Sequence, residues 1–451
     1  TFDIDTDVVD ALIVALEAGD HGMVHALCDA LHASEVADVL EQISPAHRAE
    51  LLTSLGDKFD FETLAELDDN IREEVIEHMG VDSVAQALTE LDSDDAVDVL
   101  EKLDEEDQRQ ILDAIPEEDR TLIEESLGYP DDSAGRLMQR ELVSVPEFWG
   151  VGKTIDFVRQ SADDDPDSLP KSFYDIFVVD ASHRPVGAVP LSLLLRTRRP
   201  VKMAEIMTTD LHIIPVETDQ EDVAYLFRQR DLVSAPVVDV GGRLVGAITV
   251  DDVVDVIDDE HEEDMMLLAG VGEDDLYDAA IDTTRSRFTW LLINLGTAVL
   301  ASVVIGLFEA SIQQIVALAV LMPIVASMGG NAGTQTLTVA VRGLATRELT
   351  ATNAFRVMTK ELIVGSINGV LFALIAGAVA WFWFDDPLLG VVIGLAMVIN
   401  MVVAALAGTA VPIALDRAGI DPAIASSVFV TTVTDVVGFF AFLGLAAWIL
   451  F

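Results

Sequence analysis

A carboxylate interrupts the last apolar run of the sequence. The run extends from Pro422 to Leu450, and Asp435 lies near its middle. A helix rises ~1.5 Å per residue, so the run can cross a hydrocarbon core of roughly 30 Å with Asp435 near the midplane. An unpaired carboxylate at that depth costs a few kcal/mol, and intramembrane acids usually face a cavity and a partner. Asp435 is therefore predicted to bind an ion or relay a proton. The alternative is a protonated side chain tolerated in a terminal helix.

A second set of polar groups interrupts an earlier apolar run. Pro323 and the glycine-rich segment 327–335 are predicted to break this helix, which would free backbone carbonyls beside neutral side-chain oxygens. Irregular backbone at membrane depth is tolerated where it lines water or is buried in protein. The alternative is a close helix crossing made by small residues. Together with Asp435, the segment favours a pore. The candidate pore-lining residues are Gly329, Gly330, Asn331, Gln335 and Asn400.

The charge of the 451-residue chain is extreme, with 78 Asp and Glu against 26 Lys and Arg and a net charge of −52. Such a field repels nucleic acid, which is excluded as a partner. Two explanations remain open for the excess acid: a halophilic surface adapted to high salt, and cation-binding sites. Nearly all the acid precedes Arg285 and nearly all the long apolar runs follow it. The pattern predicts a soluble acidic part joined to a membrane part.

Three features that the sequence lacks limit the possible functions. Cys28 is the only cysteine, so disulfides and thiolate metal sites are excluded. The first residues do not resemble a signal peptide, so the acidic part is expected in the cytoplasm. The sequence offers no nucleophile–base pair and no phosphate-cradling loop, and its eight histidines are isolated. An enzyme is not expected.

Internal repeats organise the acidic part. Residues 1–129 show helical periodicity, and Val39-Leu40-Glu41 returns 60 residues later as Val99-Leu100-Glu101. This repeat predicts a small superhelical array of helical hairpins. Further along, Ile176–Asp180 returns 59 residues later as Ala235–Asp239, each copy followed by a turn and a second β-branched run. The second repeat predicts tandem α/β modules that bury their sheets against each other.

An acidic helix and five spans complete the chain. Seven acids between Asp255 and Asp264 repel one another along one predicted helix, so a cation-dependent conformation is expected unless the charge is halophilic surface. The spans are predicted at 288–307, 312–341, 357–384, 388–415 and 422–450. Basic residues precede the first span and lie between the second and third. The positive-inside bias places the N-terminus in the cytoplasm and, after five crossings, the C-terminus outside.

The repeated α/β modules resemble a tandem pair of cystathionine-β-synthase (CBS) domains. In such domains a Thr and an Asp three residues later commonly hold the ribose of an adenosine nucleotide, and Thr249 and Asp252 fit that pattern. The first copy has Pro190 and Leu193 at the same places and lacks it. The resemblance implies at most one ATP site per chain. An unoccupied structural pair remains equally open.

The whole chain closely resembles the MgtE family of magnesium channels. The resemblance is carried by Gly329-Gly330-Asn331, by the run from Arg342 to Arg347, by Asp421-Pro422 and by Thr434-Asp435, together with the order of the domains. It implies a homodimer in the cell membrane, with an ion path on the two-fold axis lined also by Thr434. Two Asp435 carboxylates would then face a largely hydrated Mg²⁺, which dehydrates reluctantly.

The resemblance also implies cytosolic magnesium sites that hold the pore shut. The implied sensing acids are Glu62, Asp94, Asp98, Asp219, Glu221, Asp231, Asp252, Asp255, Glu260, Glu263 and Asp264. High intracellular potassium would screen the repulsion that opens the pore, so the magnesium response is expected to be blunted. Two other functions remain open. One is a proton- or sodium-coupled carrier, and the other is a membrane-anchored magnesium or nucleotide sensor.

The predicted fold is a multi-domain membrane protein. It combines an α-helical superhelical N domain, α/β tandem CBS domains, a linking (plug) helix and an all-α five-span transmembrane domain. The boundaries are predicted at 1–129 for the N domain, 130–200 and 201–257 for the CBS domains, 258–284 for the linking helix and 285–451 for the transmembrane domain.

Overall fold

The computed structural model describes residues 6–164, 169–170, 172–271 and 280–450. These residues form two compact units, Thr1–Asp259 and Glu260–Phe451. Part of the predicted linking helix, residues 272–279, lies outside the described residues.

From Thr6 onward, the described part of the first unit begins with nine short helices. They are α1 (Thr6–Glu17), α2 (His21–Cys28), α3 (Ala33–Gln42), α4 (Pro45–Leu55), α5 (Asp69–Met79), α6 (Val81–Glu90), α7 (Ser93–Glu101), α8 (Glu105–Ala114) and α9 (Glu117–Leu127), with 3₁₀ turns at Gly56–Lys58 and Phe61–Leu64. Polar residues set several starts: Ser44 accepts from the His47 amide ahead of Pro45, and Asp104 accepts from two amides of α8. Leu40 of α3 and Leu100 of α7 are both fully buried, which agrees with the 60-residue repeat.

Two small sheets follow the helical domain. The elements are α10 (Ala134–Leu137), β1 (Ser144–Pro146), α11 (Val151–Asp164), β2 (Asp175–Val179), β3 (Pro185–Pro190), α12 (Leu191–Arg196), α13 (Met203–Ile206), β4 (Ile214–Pro215), α14 (Gln220–Arg230), β5 (Ser234–Val238) and β6 (Leu244–Thr249). The strand orders are β1-β2-β3 and β4-β5-β6. Each sheet has one parallel and one antiparallel pair, and the register shifts at Val178/Val179 and again 59 residues later at Val237/Val238. The prediction of tandem modules is confirmed.

The sheets meet through a buried cluster of Phe177, Val179, Leu244 and Ala247. After β6 the chain forms one helix, α15 (Val250–Ala269), which contains the predicted acidic segment. Apolar residues near its end, Leu267 and Leu268, pack in the second unit against Leu337, Val341 and Val430.

The second unit consists of long apolar helices. They are α16 (Ala280–Gly306), the short α17 (Glu309–Gln314), α18 (Ala317–Ala345), α19 (Ala354–Phe384), α20 (Pro387–Arg417) and α21 (Pro422–Ile449). Five of them are long and apolar enough to cross a membrane. Asp386 and Asp421 accept from the first amides of α20 and α21, each with a proline at the first helical position, which explains these two starts.

The predicted break in the second span is wrong. The helix begins at Ala317 instead of 312, because α17 forms a separate turn, and it then continues through Pro323 and the whole glycine-rich segment. Pro323 lies in the second turn and removes only one intrahelical bond. Gly329 and Gly333 instead allow neighbouring spans to approach closely, because an added Cβ would meet Asn400 at the first and Val430 at the second. The small-residue crossing that the sequence left open is therefore part of this helix.

Candidate functional site

Asn400 lies where three spans cross. Its side chain on α20 is fully buried, and a Cβ added at Gly329 of α18 or at Gly438 of α21 would overlap its amide. The Asn400 Nδ2 atom donates a 2.8 Å hydrogen bond to the Val325 carbonyl. The buried Oδ1 atom has no hydrogen-bond partner among the described residues. This amide therefore joins the spans and leaves one unused acceptor inside them.

Asp435 lies one turn before Gly438 on α21, and its side chain is half-buried. The preceding Thr434 is fully buried, and its Oγ1 atom donates to the Thr431 carbonyl at 2.9 Å. The Thr434 methyl group lies 3.6 Å from the position of a Cβ at Gly333. Thr434 is thus packed between helices, whereas the Asp435 carboxylate stays partly accessible in a single chain.

A row of polar side chains runs along the open side of α18. Its members are Ser327, Asn331, Thr334, Gln335 and Thr338, and all are exposed in the single chain. Most are three or four residues apart, so they share one helix face. A Cβ added at Gly330 would meet nothing within 4 Å, so this glycine is also open. The Thr338 hydroxyl is satisfied by the Thr334 carbonyl of its own helix, at 3.0 Å. The amide groups of Asn331 and Gln335 would be unsatisfied in lipid, and such a row usually faces water or another protein surface.

A cluster of partly buried acids lies in the first unit, between α7 and α15. Burial and the neighbouring carboxylate of Asp252 raise the pKa of Asp94 well above its usual value. The same two causes raise the pKa of Asp95 to about 7. Burial is also the main cause that raises the pKa of Asp252 to about 6, against the lowering effect of its bond with Thr249. Ionised together these acids repel each other, so a cation between them would be stabilised.

Asp255 extends the same cluster. Burial and the nearby Glu66 carboxylate raise its pKa to about 6. Asp98, one turn after Asp94, has a different partner: its Oδ2 atom lies 3.0 Å from Nη1 of the buried Arg72. Glu62 lies in the 3₁₀ turn Phe61–Leu64 and is exposed. Of the predicted sensing acids, the structure thus brings Asp94, Asp252 and Asp255 together.

The other predicted acids lie at separate places. Asp219 caps α14 by accepting from the Glu221 amide, and Asp231 ends the same helix with φ 51°. An 11-residue helix is about 16 Å long, so one chain cannot place Asp231 and Asp219 on one ion. Glu260, Glu263 and Asp264 lie on the last turns of α15. Burial raises the pKa of Asp264, and the Asp421 carboxylate adds to this effect.

The acids of this cluster fit a hydrated divalent ion better than a fully dehydrated metal site. The described part of the chain contains no group of three His, Cys, Asp or Glu side chains arranged to hold one metal. Mg²⁺ commonly binds through one or two carboxylates and keeps several waters. The paired, mutually repelling carboxylates of Asp94 and Asp252 match that chemistry.

Thr249 and Asp252 meet each other at the start of α15. The Asp252 carboxylate accepts from the Thr249 hydroxyl at 2.8 Å and from the Thr249 amide at 3.3 Å. This is the geometry of a helix cap. It also holds the Asp252 carboxylate in one orientation beside the sheets, where a ribose hydroxyl could be bound.

Comparison with known proteins identifies the family. Residues 322–445 match the divalent cation transporters named MgtE, residues 31–132 match the MgtE intracellular N domain, and residues 203–259 match the CBS domain. The magnesium transporter MgtE of Thermus thermophilus is 37% identical over 332 residues, which cover 73% of this chain and 72% of that protein. That of Enterococcus faecalis is 33% identical over 325 residues, 72% of this chain and 71% of that protein. The chain belongs to the MgtE family.

Solved structures of the cytosolic part of a Mg²⁺ channel and of the soluble part of a magnesium transporter are similar to about half of this chain. The cytosolic domain of the Mg²⁺ channel MgtE in complex with ATP is 31% identical, with a TM-score of 0.51, and the match covers 55% of this chain and 99% of that one. The soluble part of a magnesium transporter is 29% identical, with a TM-score of 0.50, and the match covers 56% and 98%. The predicted fold class and family are therefore confirmed.

Sequence reasoning missed three acids in this MgtE chain. The partly buried Asp95 and the exposed Glu66 belong to this cluster of acids, but periodicity alone does not show that α15 lies beside them. Glu361 is a buried carboxylate in the second turn of α19, beside Lys360 at 3.4 Å. Its signal was present in the sequence, since an acid flanked by an apolar run is unusual.

Proposed function

We propose that this chain carries Mg²⁺ across the membrane through a path lined by Asp435 and the open polar side of α18. The half-buried Asp435 on a spanning helix is the observation that carries the proposal. A lone carboxylate at that depth needs a compensating positive charge. The names of the relatives, magnesium transporters, support Mg²⁺ as that charge.

The functional unit in this proposal is a homodimer. Asn331, Gln335 and their polar neighbours are exposed on α18 in the single chain, and a second copy across a two-fold axis would enclose them around water. Two Asp435 carboxylates would then balance the charge of one divalent ion. Their oxygens would hold Mg²⁺ through its water shell, because this ion gives up water reluctantly. Asn400 would keep the three crossing spans in register.

The acids of the first unit serve as the magnesium sensor. When they are ionised, the carboxylates of Asp94, Asp95 and Asp252 repel each other, and Mg²⁺ shared between α7 and α15 would favour the compact arrangement. When cytosolic Mg²⁺ falls, repulsion would separate α7 from α15, and α15 would release the pore. This scheme puts the N-terminal part in the cytoplasm and the C-terminus outside.

ATP is proposed as a second ligand, at Thr249 and Asp252. The fixed orientation of the Asp252 carboxylate and the ATP complex of the related cytosolic domain support this site. Titration calorimetry with ATP tests it on the full-length protein. Thr249→Val should weaken ATP binding at least tenfold, whereas an unchanged affinity would place the nucleotide elsewhere or nowhere.

Transport is tested with the purified protein in vesicles that contain a Mg²⁺-sensitive dye. Asp435→Asn should reduce Mg²⁺ entry at least tenfold. Asp385→Asn is the matched control, because Asp385 is an exposed residue with φ 53°, a conformation that Asn tolerates. Normal entry through Asp435→Asn would refute the proposed path.

The same vesicles separate the alternatives. A channel follows the membrane potential and the Mg²⁺ gradient, whereas a coupled carrier would also depend on pH or sodium. A sensor without a pore would admit no Mg²⁺ in any condition. Cross-linking of detergent-solubilised protein through single cysteines introduced at Gln335 tests the dimer, and a monomer would overturn the two-fold path.

A further inference from the structure

The segment after α10 contacts the first turn of α7. The Glu141 carboxylate accepts from the Ser93 amide at 3.2 Å and from the Ser93 hydroxyl at 2.8 Å. The same hydroxyl accepts from the Arg140 amide at 2.8 Å. Asp92, the residue before α7, makes no side-chain capping bond. Glu141 therefore caps α7 from another part of the chain and places its negative charge at the positive end of the helix dipole.

Arg140 connects the segment to α9 as well. Its Nε atom lies 2.9 Å from the hydroxyl of the buried Ser126, and its Nη1 atom lies 3.0 Å from the Glu125 carboxylate. Two consecutive residues thus hold two helices of the N-terminal domain. The bonds to Ser93 and Ser126 are partly buried, whereas the ion pair with Glu125 is exposed and is therefore screened by salt.

The residue before them is bonded to the second sheet. The backbone of Gln139 exchanges two hydrogen bonds with Ala247 of β6, at 2.8 and 2.9 Å. Strand β6 ends at Thr249, which bonds the Asp252 carboxylate. Hydrogen bonds and covalent backbone therefore connect Asp252, through Thr249 and Ala247 of β6 and through residues 139–141, to Ser93. Ser93 directly precedes Asp94 and Asp95.

We propose that Glu141, with Arg140, positions α7 so that Asp94 and Asp95 face Asp252 before any cation binds. We define residues 139–141 as the clamp. The clamp opposes the repulsion between these acids, because it bonds the first turn of α7 to residues 140 and 141. Pre-organisation of this kind raises affinity because less ordering is needed on binding. This inference rests on the proposed magnesium-sensing function.

The first test measures the clamp without magnesium. Hydrogen exchange on the full-length protein in chelator reports the opening of the first turn of α7. Glu141→Ala and Ser93→Ala should each increase exchange there at least fivefold, and the double variant should add little to either. Glu205→Gln, which removes an exposed charge from α13, should leave exchange unchanged. Unchanged exchange in Glu141→Ala would overturn the clamp itself.

The second test measures its consequence for magnesium. Protection of the full-length protein from limited proteolysis is titrated with Mg²⁺ in constant KCl. Glu141→Ala should raise the midpoint roughly five- to thirtyfold, and a tenfold change corresponds to about 1.4 kcal/mol. Ser93→Thr, which keeps the hydroxyl, and Glu205→Gln should keep the wild-type midpoint.

The two tests separate the possible failures. If Glu141→Ala exchanges faster in α7 but keeps the wild-type Mg²⁺ midpoint, Glu141 only caps the helix, and its role in positioning the acids is refuted. If the wild-type protein shows no protection by Mg²⁺, the proposed sensor fails, whereas the exchange measurement still decides whether the clamp exists.

Discussion

Neutralising Asp95 should lower the Mg²⁺ concentration at which the acidic part of the chain becomes compact. The pKa of Asp95 rises from 3.8 to about 7 through burial and the Asp252 carboxylate. At about 1.4 kcal/mol for each pH unit, ionised Asp95 costs the compact arrangement about 4 kcal/mol above pH 7. Bound Mg²⁺ offsets part of this cost, and Asp95→Asn removes the charge that causes it. At pH 8 the variant should therefore be half protected from proteolysis at an at least tenfold lower Mg²⁺ concentration than the wild type.

The pH dependence follows from the same shift. A carboxyl group with a raised pKa binds its proton more tightly in the compact arrangement, so protonation favours that arrangement at low pH. This contribution is complete below pH 3.8 and is lost as pH rises through about 7 for Asp95 and about 6 for Asp252. The wild-type protein should therefore need less Mg²⁺ at pH 6 than at pH 8, and Asp95→Asn should reduce that difference.

Limited proteolysis of the full-length protein, titrated with Mg²⁺ at both pH values in constant KCl, measures these effects. Asp82→Asn is the matched control, because Asp82 is an exposed acid on α6 and loses the same charge. An Asp95→Asn midpoint equal to or higher than that of the wild type at pH 8 would refute the repulsion argument. Such a result would indicate that Asp95 binds the cation directly.

Two further predictions concern packing. Arg72→Ala should lower the free energy of unfolding by about 3 kcal/mol, because it removes the ion pair with Asp98 and frees three backbone carbonyls in the helical domain. Denaturant titration against the exposed-site control Arg109→Ala checks this, and equal midpoints would contradict it. Gly329→Ala should destabilise the membrane unit by about 1–3 kcal/mol, because the new methyl group overlaps Asn400. Gly330→Ala adds the same methyl group where nothing lies within 4 Å, so thermal unfolding in detergent should distinguish the two variants.

Features with a strong local signal were predictable from the sequence. The five spans follow from length and hydrophobicity, and their ends follow from Asp-Pro pairs such as Asp421-Pro422. The tandem modules follow from the repeated β-branched runs, and the structure adds a matching register shift at Val178 and Val237. In these elements the local preference and the tertiary structure agree.

Features decided by packing between distant segments were not predictable. The glycine-rich part of α18 has the composition of a helix break, but its backbone is helical throughout. Gly329 and Gly333 instead let the neighbouring helices α20 and α21 pack closely against α18. The sequence does not distinguish Asp95 from the surrounding surface acids, because only the folded structure brings Asp252 of α15 close to it. The Glu141–Ser93 contact joins residues 48 positions apart, and no periodic pattern predicts such a contact.

The arrangement of Asn400 between two glycines constrains how this protein can change over evolutionary time. The Asn400 amide fills the space that a side chain at position 329 or 438 would need. A larger residue at either position is therefore tolerable only if residue 400 becomes smaller. A smaller residue there would also give up the bond to Val325. Substitutions at these positions should therefore be accepted in pairs, and relatives that have lost the asparagine should carry alanine or serine in place of at least one of the glycines.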